Sequence, residues 1–227
     1  MKPGEIRGKI DFEHPQILMY LKQRLWEYLY EMLGDRNEDN RFAYEENITT
    51  LNQLLHRYEK ALLPEGSFVL SANPVYISSI LKEEIKGELG CFLTFSFQPK
   101  DIIDEEEALL YHMLQIAMLN AARDYISEHF LQSSYNYYYK QDRLNQKIYG
   151  SCFYGPGIMG MSLGVYNQLY HYVTEKKVIP TAIASFLGVV AIGTKPFNYI
   201  VPCKGCNPNE GCRFCMIYHQ KRKEEGK

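Results

Sequence analysis

Four cysteines near the end of the chain stand in two close pairs, Cys203-Lys-Gly-Cys206 and Cys212-Arg-Phe-Cys215. Thiolate is the soft ligand that iron–sulfur clusters and structural zinc require. The intervening Asn207-Pro208-Asn209-Glu210-Gly211 is turn chemistry, so the chain can fold back and bring both pairs to one centre. The expected chemistry is a four-thiolate site holding either a [4Fe–4S] cluster or zinc. The gap between the pairs is shorter than in ordinary zinc ribbons and matches neither standard ferredoxin run. The plainer alternatives are a reduced loose tail or two disulfides.

A second candidate is the glycine loop Ser151-Cys-Phe-Tyr-Gly-Pro-Gly-Ile-Met-Gly-Met161. Gly155, Gly157 and Gly160 satisfy G-x-G-x-x-G between an expected strand and an expected helix, the context of a dinucleotide fingerprint. Two features argue against that reading. Pro156 removes a backbone N–H from the turn that would face pyrophosphate. Only 67 residues follow Gly160, too few for a full nucleotide-binding half beside the cysteine tail. A tight strand-to-helix turn without ligand is the bland alternative.

These segments need elements to hold them. Pro15 to Leu33 carries Ile17, Leu18, Leu21, Leu25, Trp26, Leu29 and Leu33 at helical spacing and stops at Gly34-Asp35. A second helix runs through Leu51, Leu54, Leu55, Tyr58 and Leu62 to Pro64, so the first 65 residues read as helical. Phe68 to Leu70 suggests a short strand, Val75 to Ile85 a helix, and Cys91 to Phe97 a central strand. A long helix is expected from Asp104 to Leu131, its acidic first turn favoured by the helix dipole. Tyr135 to Gln146 could continue it. Lys147 to Tyr154 and Leu187 to Ile192 read as strands, with a helix from Ser162 to Val173 between them. The mixture lacks a regular βαβ alternation, which favours α+β with a twisted, mainly antiparallel sheet flanked by helices. The expected organisation is a helical extension over 1–65, an α+β core over 66–200 and a metal-binding tail over 201–227.

Composition bounds the partners. The 227 residues are 46% hydrophobic and 23% charged, ordinary for a core-forming protein. A formal net charge of −2 gives no global field for nucleic acid or an anionic membrane. The start of the chain has no apolar export segment, and the longest apolar stretch, Val178 to Gly193, is shorter than a bilayer span. A reducing, cytoplasmic setting with free thiols is expected. The tyrosines 135, 137, 138 and 139, followed by Lys140 and Arg143, imitate a stacking platform for single strands, but read better as a half-buried helix face. The histidines 14, 56, 112, 129, 171 and 219 show no ligand spacing. Cys91 and Cys152 fall in expected strands, where buried cysteine behaves as a small apolar residue.

The order of the parts resembles the activation domain of cobalamin-dependent methionine synthase, above all its stand-alone bacterial relatives. The segment Phe153-Tyr-Gly-Pro-Gly-Ile-Met-Gly-Met-Ser-Leu, then an amphipathic helix, then a β-branched apolar segment carries the likeness. Upstream, Ile77 to Leu81 through Cys91-Phe-Leu-Thr-Phe-Ser-Phe is similar to the family's short helix and Thr-containing strand. The helix from Glu105, with small residues from Ala117 to Ala122, resembles the one that follows. Lys195 resembles a lysine after the family's C-terminal strand, and some relatives also end in a cysteine cluster. The likeness covers roughly residues 66–215 and leaves the first 65 unmatched.

The resemblance implies reactivation of a corrinoid cofactor on a partner methyltransferase, with S-adenosylmethionine as methyl donor and a flavodoxin- or ferredoxin-type protein as electron donor. The backbone of Tyr154, Gly155, Pro156, Gly157, Ile158 and Gly160 would cradle the methyl donor. Cys203, Cys206, Cys212 and Cys215 would hold an electron-relay cluster or a structural zinc. No acid or base catalyst is implied, because methyl transfer from a sulfonium needs none. The chain departs from the family's pattern at four places. Phe153 stands where an arginine is usual and Ile158 where an aromatic is frequent. Arg123 stands where the helix often carries a glutamate, and Gly193 and Pro196 replace a proline and a serine near Lys195. Two other readings are a small iron–sulfur redox protein without methyl chemistry and a non-enzymatic binding module stapled by zinc.

Overall fold

The fold, a computed structural model, describes residues 4–34, 41–72, 87–97, 105–139, 147–151, 153, 155, 163–176 and 185–195. Along the chain these form β1 (Glu5–Ile10), α1 (Pro15–Leu33), α2 (Arg41–Tyr58), β2 (Glu65–Ser71) and β3 (Leu89–Ser96). A long helical rod follows: α3 (Glu105–Tyr125), a π-helical turn (Ile126–Phe130) and α4 (Leu131–Tyr139). Then come β4 (Tyr149–Gly150), a 3₁₀ turn at Leu163–Val165, α5 (Tyr166–Thr174) and β5 (Ser185–Gly193).

The strands make one sheet in the order β1-β2-β3-β5-β4, with every pairing antiparallel. The α+β reading and the central position of Cys91–Phe97 both hold. β3 is buried along nearly its whole length because helices cover both faces of the sheet. The strand period of two sorts its side chains. Leu89, Cys91, Leu93 and Phe95 join Val190 and Ile192 of β5 under α1, α2 and α3. On the other face, Phe92 joins Val69, Leu187 and Val189 beneath Leu169, Tyr170 and Val173 of α5.

α1 begins with Pro15 at its first turn, where a missing N–H costs nothing, and ends before Gly34 at φ +75°. Its Leu21, Leu25 and Leu29 lie one turn apart and are fully buried. Polar bonds add to that seam. Arg24 reaches Glu128 at 3.1 Å, and the Tyr28 hydroxyl donates to Asp124 at 2.9 Å. The rod remains continuous from Glu105 to Tyr139, so the tyrosine-rich segment extends the long helix as far as Tyr139, and residues 140–146 lie outside the described residues. Tyr135 is 4% exposed and Tyr137 69% exposed, the alternation of a half-buried helix face.

Two readings are corrected. The first residues are not helical: Glu5 to Ile10 pair with Ser71 to Gly66 as an edge strand. Charged side chains alternating with Ile6, Gly8 and Ile10 hide its apolar content, a common protection of sheet edges. Among the described residues, the strand expected over 147–154 pairs only at Tyr149 and Gly150. Beyond them Ser151 keeps its N–H on Ala191 O at 2.8 Å, but the Ser151 hydroxyl, not its carbonyl, accepts the Ala191 N–H at 2.9 Å. A side chain thus takes the place of a carbonyl at this rung. The helix expected over Val75–Ile85 lies outside the described residues.

The buried α1 seam makes a direct expectation. Leu25→Ala should lower the unfolding free energy in urea by about 2–5 kcal/mol. Met19→Ala, at a position 71% exposed on the same helix, should stay within about 0.5 kcal/mol. Equal effects would show that α1 is not part of the cooperative core.

Candidate functional site

The register of the sheet defines two ends. At one end Ile10, Gly66, Phe95 and Phe186 lie in successive positions across β1, β2, β3 and β5. At the other, Glu5, Ser71, Gly90 and Ala191 do the same. β4 runs antiparallel to β5, so the chain leaves Ser151 beside Ala191 and heads for the Phe186 end.

The root of the glycine loop therefore sits on aromatic ground. Phe153 is 7% exposed and meets Phe186 edge-on, with ring centres 5.0 Å apart. Phe186 stacks on Phe95 at 4.8 Å, and Phe95 meets Phe12 edge-on at 6.1 Å. Gly150 lets this segment pass close to the rod, since a Cβ there would lie 2.6 Å from Leu131 Cδ1. Gly155 is buried. Tyr154, Pro156, Gly157, Ile158 and Gly160 lie outside the described residues.

α3 brings a cation to the same place. The Arg123 guanidinium carbon is 5.5 Å from the ring centres of both Phe153 and Phe186. Arg123 also donates to Asn120 Oδ1 at 3.4 Å, and Asn120 is 9% exposed. A guanidinium over aromatic faces is held electrostatically by their quadrupoles, the more so when partly removed from water. One helical turn links Asn120 to Arg123, so helix geometry aims both at the loop root. The resemblance marked position 123 only as a departure; that it faces position 153 is a tertiary fact that sequence spacing could not supply.

The opposite end of β5 carries a different cluster. The Glu88 carboxylate accepts the Thr194 N–H at 2.9 Å and the Thr194 hydroxyl at 2.5 Å through Oε1. Through Oε2 it accepts the Tyr135 hydroxyl at 2.5 Å. The Tyr139 hydroxyl donates to Glu88 O at 2.9 Å. Thr194 and Tyr135 together hold the Glu88 carboxyl below its usual range, with the Lys195 charge acting in the same direction. Burial and the nearby Glu88 charge push the Tyr139 hydroxyl up. This clamp joins the start of β3, the end of β5 and α4 at the point where the chain continues toward the cysteines.

Cys203, Cys206, Cys212 and Cys215 lie outside the described residues, as does Cys152. Among the described residues no three His, Cys, Asp or Glu side chains are grouped to hold a metal. Cys91 is fully buried and its thiol is pushed up by that burial, as expected of an inert core cysteine. No described helix is long and apolar enough to cross a membrane. The loop leaves Ser151 beside Ala191 and its Phe153 ring reaches back to Phe186, whereas the tail runs on past Thr194 in the other direction. Eight residues from Phe186 to Thr194 span about 26 Å in a strand. The nine residues from Thr194 to Cys203 can reach about 30 Å when fully extended.

Comparison with known proteins finds no matching family model, and no curated protein or solved structure that resembles the chain.

Glu88 gives this end of the molecule a pH dependence with a defined sign. Its folded pKa is depressed, so its contribution is full above the unfolded-state pKa and is lost as pH falls through the folded value. The stability gap between the wild type and Glu88→Gln, read from denaturation midpoints, should therefore narrow on acidification. A gap that widens would contradict the clamp.

Proposed function

We propose that this protein reactivates a corrinoid cofactor on a partner methyltransferase, holding S-adenosylmethionine at the glycine loop. The observation that carries this reading is the Arg123 guanidinium over Phe153 and Phe186. The resemblance leads one to expect a positive charge four residues before Gly157, where this chain has Phe153. Arg123 returns that charge from the facing helix, to the same neighbourhood in space. A methionine carboxylate is the natural partner for a guanidinium with planar, directional donors. Phe153 and Phe186 offer ring surface beside it. The charge and the aromatic surface fit the methyl donor at the loop root.

When bound, S-adenosylmethionine supplies a methyl group whose departing sulfur keeps the bonding electron pair. No side chain has to move a proton, and the absence of an acid–base pair from the assignment follows from that chemistry. The chain's part is to hold the donor's carboxylate on Arg123, to turn the loop backbone from Tyr154 to Gly160 toward the donor, and to exclude water with the aromatic row. Cys203, Cys206, Cys212 and Cys215 would hold a [4Fe–4S] cluster or zinc, and a flavodoxin- or ferredoxin-type protein would supply the electron. The setting would be the cytoplasm.

A second reading draws on the opposite directions in which the loop and the tail run from β5. The Phe153 ring lies on Phe186, eight residues along β5 from Thr194, so a tail that runs on past Thr194 can act as an independent metal module, either a small redox centre or a zinc staple.

The test is calorimetry on anaerobically prepared protein. Wild type should bind S-adenosylmethionine, and Arg123→Ala should bind it about ten- to a hundredfold more weakly, with Arg123→Lys between them. S-adenosylhomocysteine, which keeps the carboxylate, should show the same dependence on Arg123. No measurable binding by the wild type would remove the methyl-donor reading. Metal analysis and a visible spectrum then separate the remaining two: a brown iron-bearing protein is the redox centre, and colourless stoichiometric zinc is the staple.

A further inference from the structure

A cleft of about 820 Å³ opens where three connections meet, at the β1–β2 side of the sheet. Its walls come from the turn between β1 and α1, the turn between α2 and β2, and the chain just past α5. The size falls within the usual range for pockets that enclose small molecules.

Each wall contributes a lysine: Lys9, Lys60 and Lys176. All three are exposed, and among the described residues none of them forms an ion pair. They come from distant parts of the chain, so the fold gathers like charges at one cleft. Like charges repel, and an anionic ligand between them reverses the sign of that interaction.

The carboxylates at the same rim are arranged differently. Asp11 Oδ1 accepts the Glu13 N–H at 3.1 Å and so shapes the β1–α1 turn. Glu13 and Glu65 complete the rim. They cancel the net field, which disfavours a polyanion such as nucleic acid, and they can accept hydrogen bonds from hydroxyl or amine groups of a small ligand. Ala61, Leu63 and Pro64 supply an apolar wall. Beneath it the floor is close-packed: a Cβ on Gly66 would lie 2.7 Å from the Phe12 ring and 3.0 Å from Ile10 Cβ. Glycine at 66 thus lets Phe12 seal the bottom of the cleft.

We propose that this cleft binds a nucleotide-sized organic phosphate, with its phosphate on the three lysines and its ring against the Ala61–Pro64 wall. Ligand hydroxyls meet Glu13 and Glu65. The site shares no residue with Arg123 or the glycine loop, and stands or falls independently of the methyl-donor reading.

The experiment is a heteronuclear NMR titration of the full chain with ADP and, separately, inorganic pyrophosphate at low salt. Expected are amide shifts confined to the stretches 9–13, 60–67 and 174–176, and tighter binding of ADP than of pyrophosphate, because the wall contributes only to ADP. The K9A/K60A/K176A variant should bind ADP at least about tenfold more weakly. Lys60→Glu alone, with a smaller but clear loss, serves where the triple variant does not fold. Any of four results overturns the proposal: no shifts with either probe at millimolar concentration, shifts only elsewhere, unchanged affinity in the lysine variants, or pyrophosphate binding as tightly as ADP.

Discussion

Everything in this fold is hung on β3. It is hydrogen-bonded on both edges, to β2 and to β5, and covered on both faces. Such a strand has no solvent side on which to place an error. A one-residue slip would move Cys91, Leu93 and Phe95 from beneath the helices to beneath α5, and Phe92 in the reverse direction. The two cores differ in size and composition, so only one register satisfies both. That fixed register transmits across the sheet and sets which residues share an end: Ile10, Gly66, Phe95 and Phe186 at one, Gly90 and Ala191 at the other.

The consequence for chemistry is a division of labour by strand direction. β5 is flanked by the two segments richest in candidate residues, the glycine loop through β4 and the cysteine tail beyond Thr194. Because β4 is antiparallel to β5, the loop heads back along β5 toward Phe186 while the tail runs on past Thr194. Different interactions anchor each start. Aromatic packing with a guanidinium holds the loop root, whereas hydrogen bonds to one carboxylate hold the origin of the tail. An aromatic cluster is insensitive to pH and excludes water; a carboxylate clamp titrates and is exposed. The first suits a binding surface and the second suits a tether.

Legibility from sequence followed the strength of local signals. α1 was readable to the residue, because Pro15 and Gly34 mark its ends and seven apolar positions keep one face. β3 was readable because a run this apolar and β-rich, between polar flanks, has few alternatives. β1 was not, since an edge strand with Glu5, Arg7 and Lys9 carries the charges of a loop. Nor was the bond from the Ala191 N–H to the Ser151 hydroxyl beside β4, 40 residues apart. Antiparallel order followed from the lack of βαβ alternation. The Glu88 clamp and the Arg123–Phe153 contact were invisible, because each joins residues whose separation along the chain carries no periodic signature.

That last contact bears on how a departure from a family pattern should be weighed. Set against the resemblance position by position, Phe153 lacks an expected charge and Arg123 stands where an acid is expected, so each counts against the proposed site. In space they are one event. The helix and the loop root face each other, and the guanidinium lies over the ring at the position where the resemblance leads one to expect an arginine. A cation carried on α3 is also more firmly placed than one carried on the loop, because the backbone beneath it is a helix locked to α1 and the sheet. What a carboxylate ligand meets is the position and preorganisation of the charge, not its place in the sequence. The exchange also changes the chemistry of the neighbourhood. The phenyl rings engage the face of the guanidinium, and Asn120 accepts from its edge at 3.4 Å, so both groups fix its orientation.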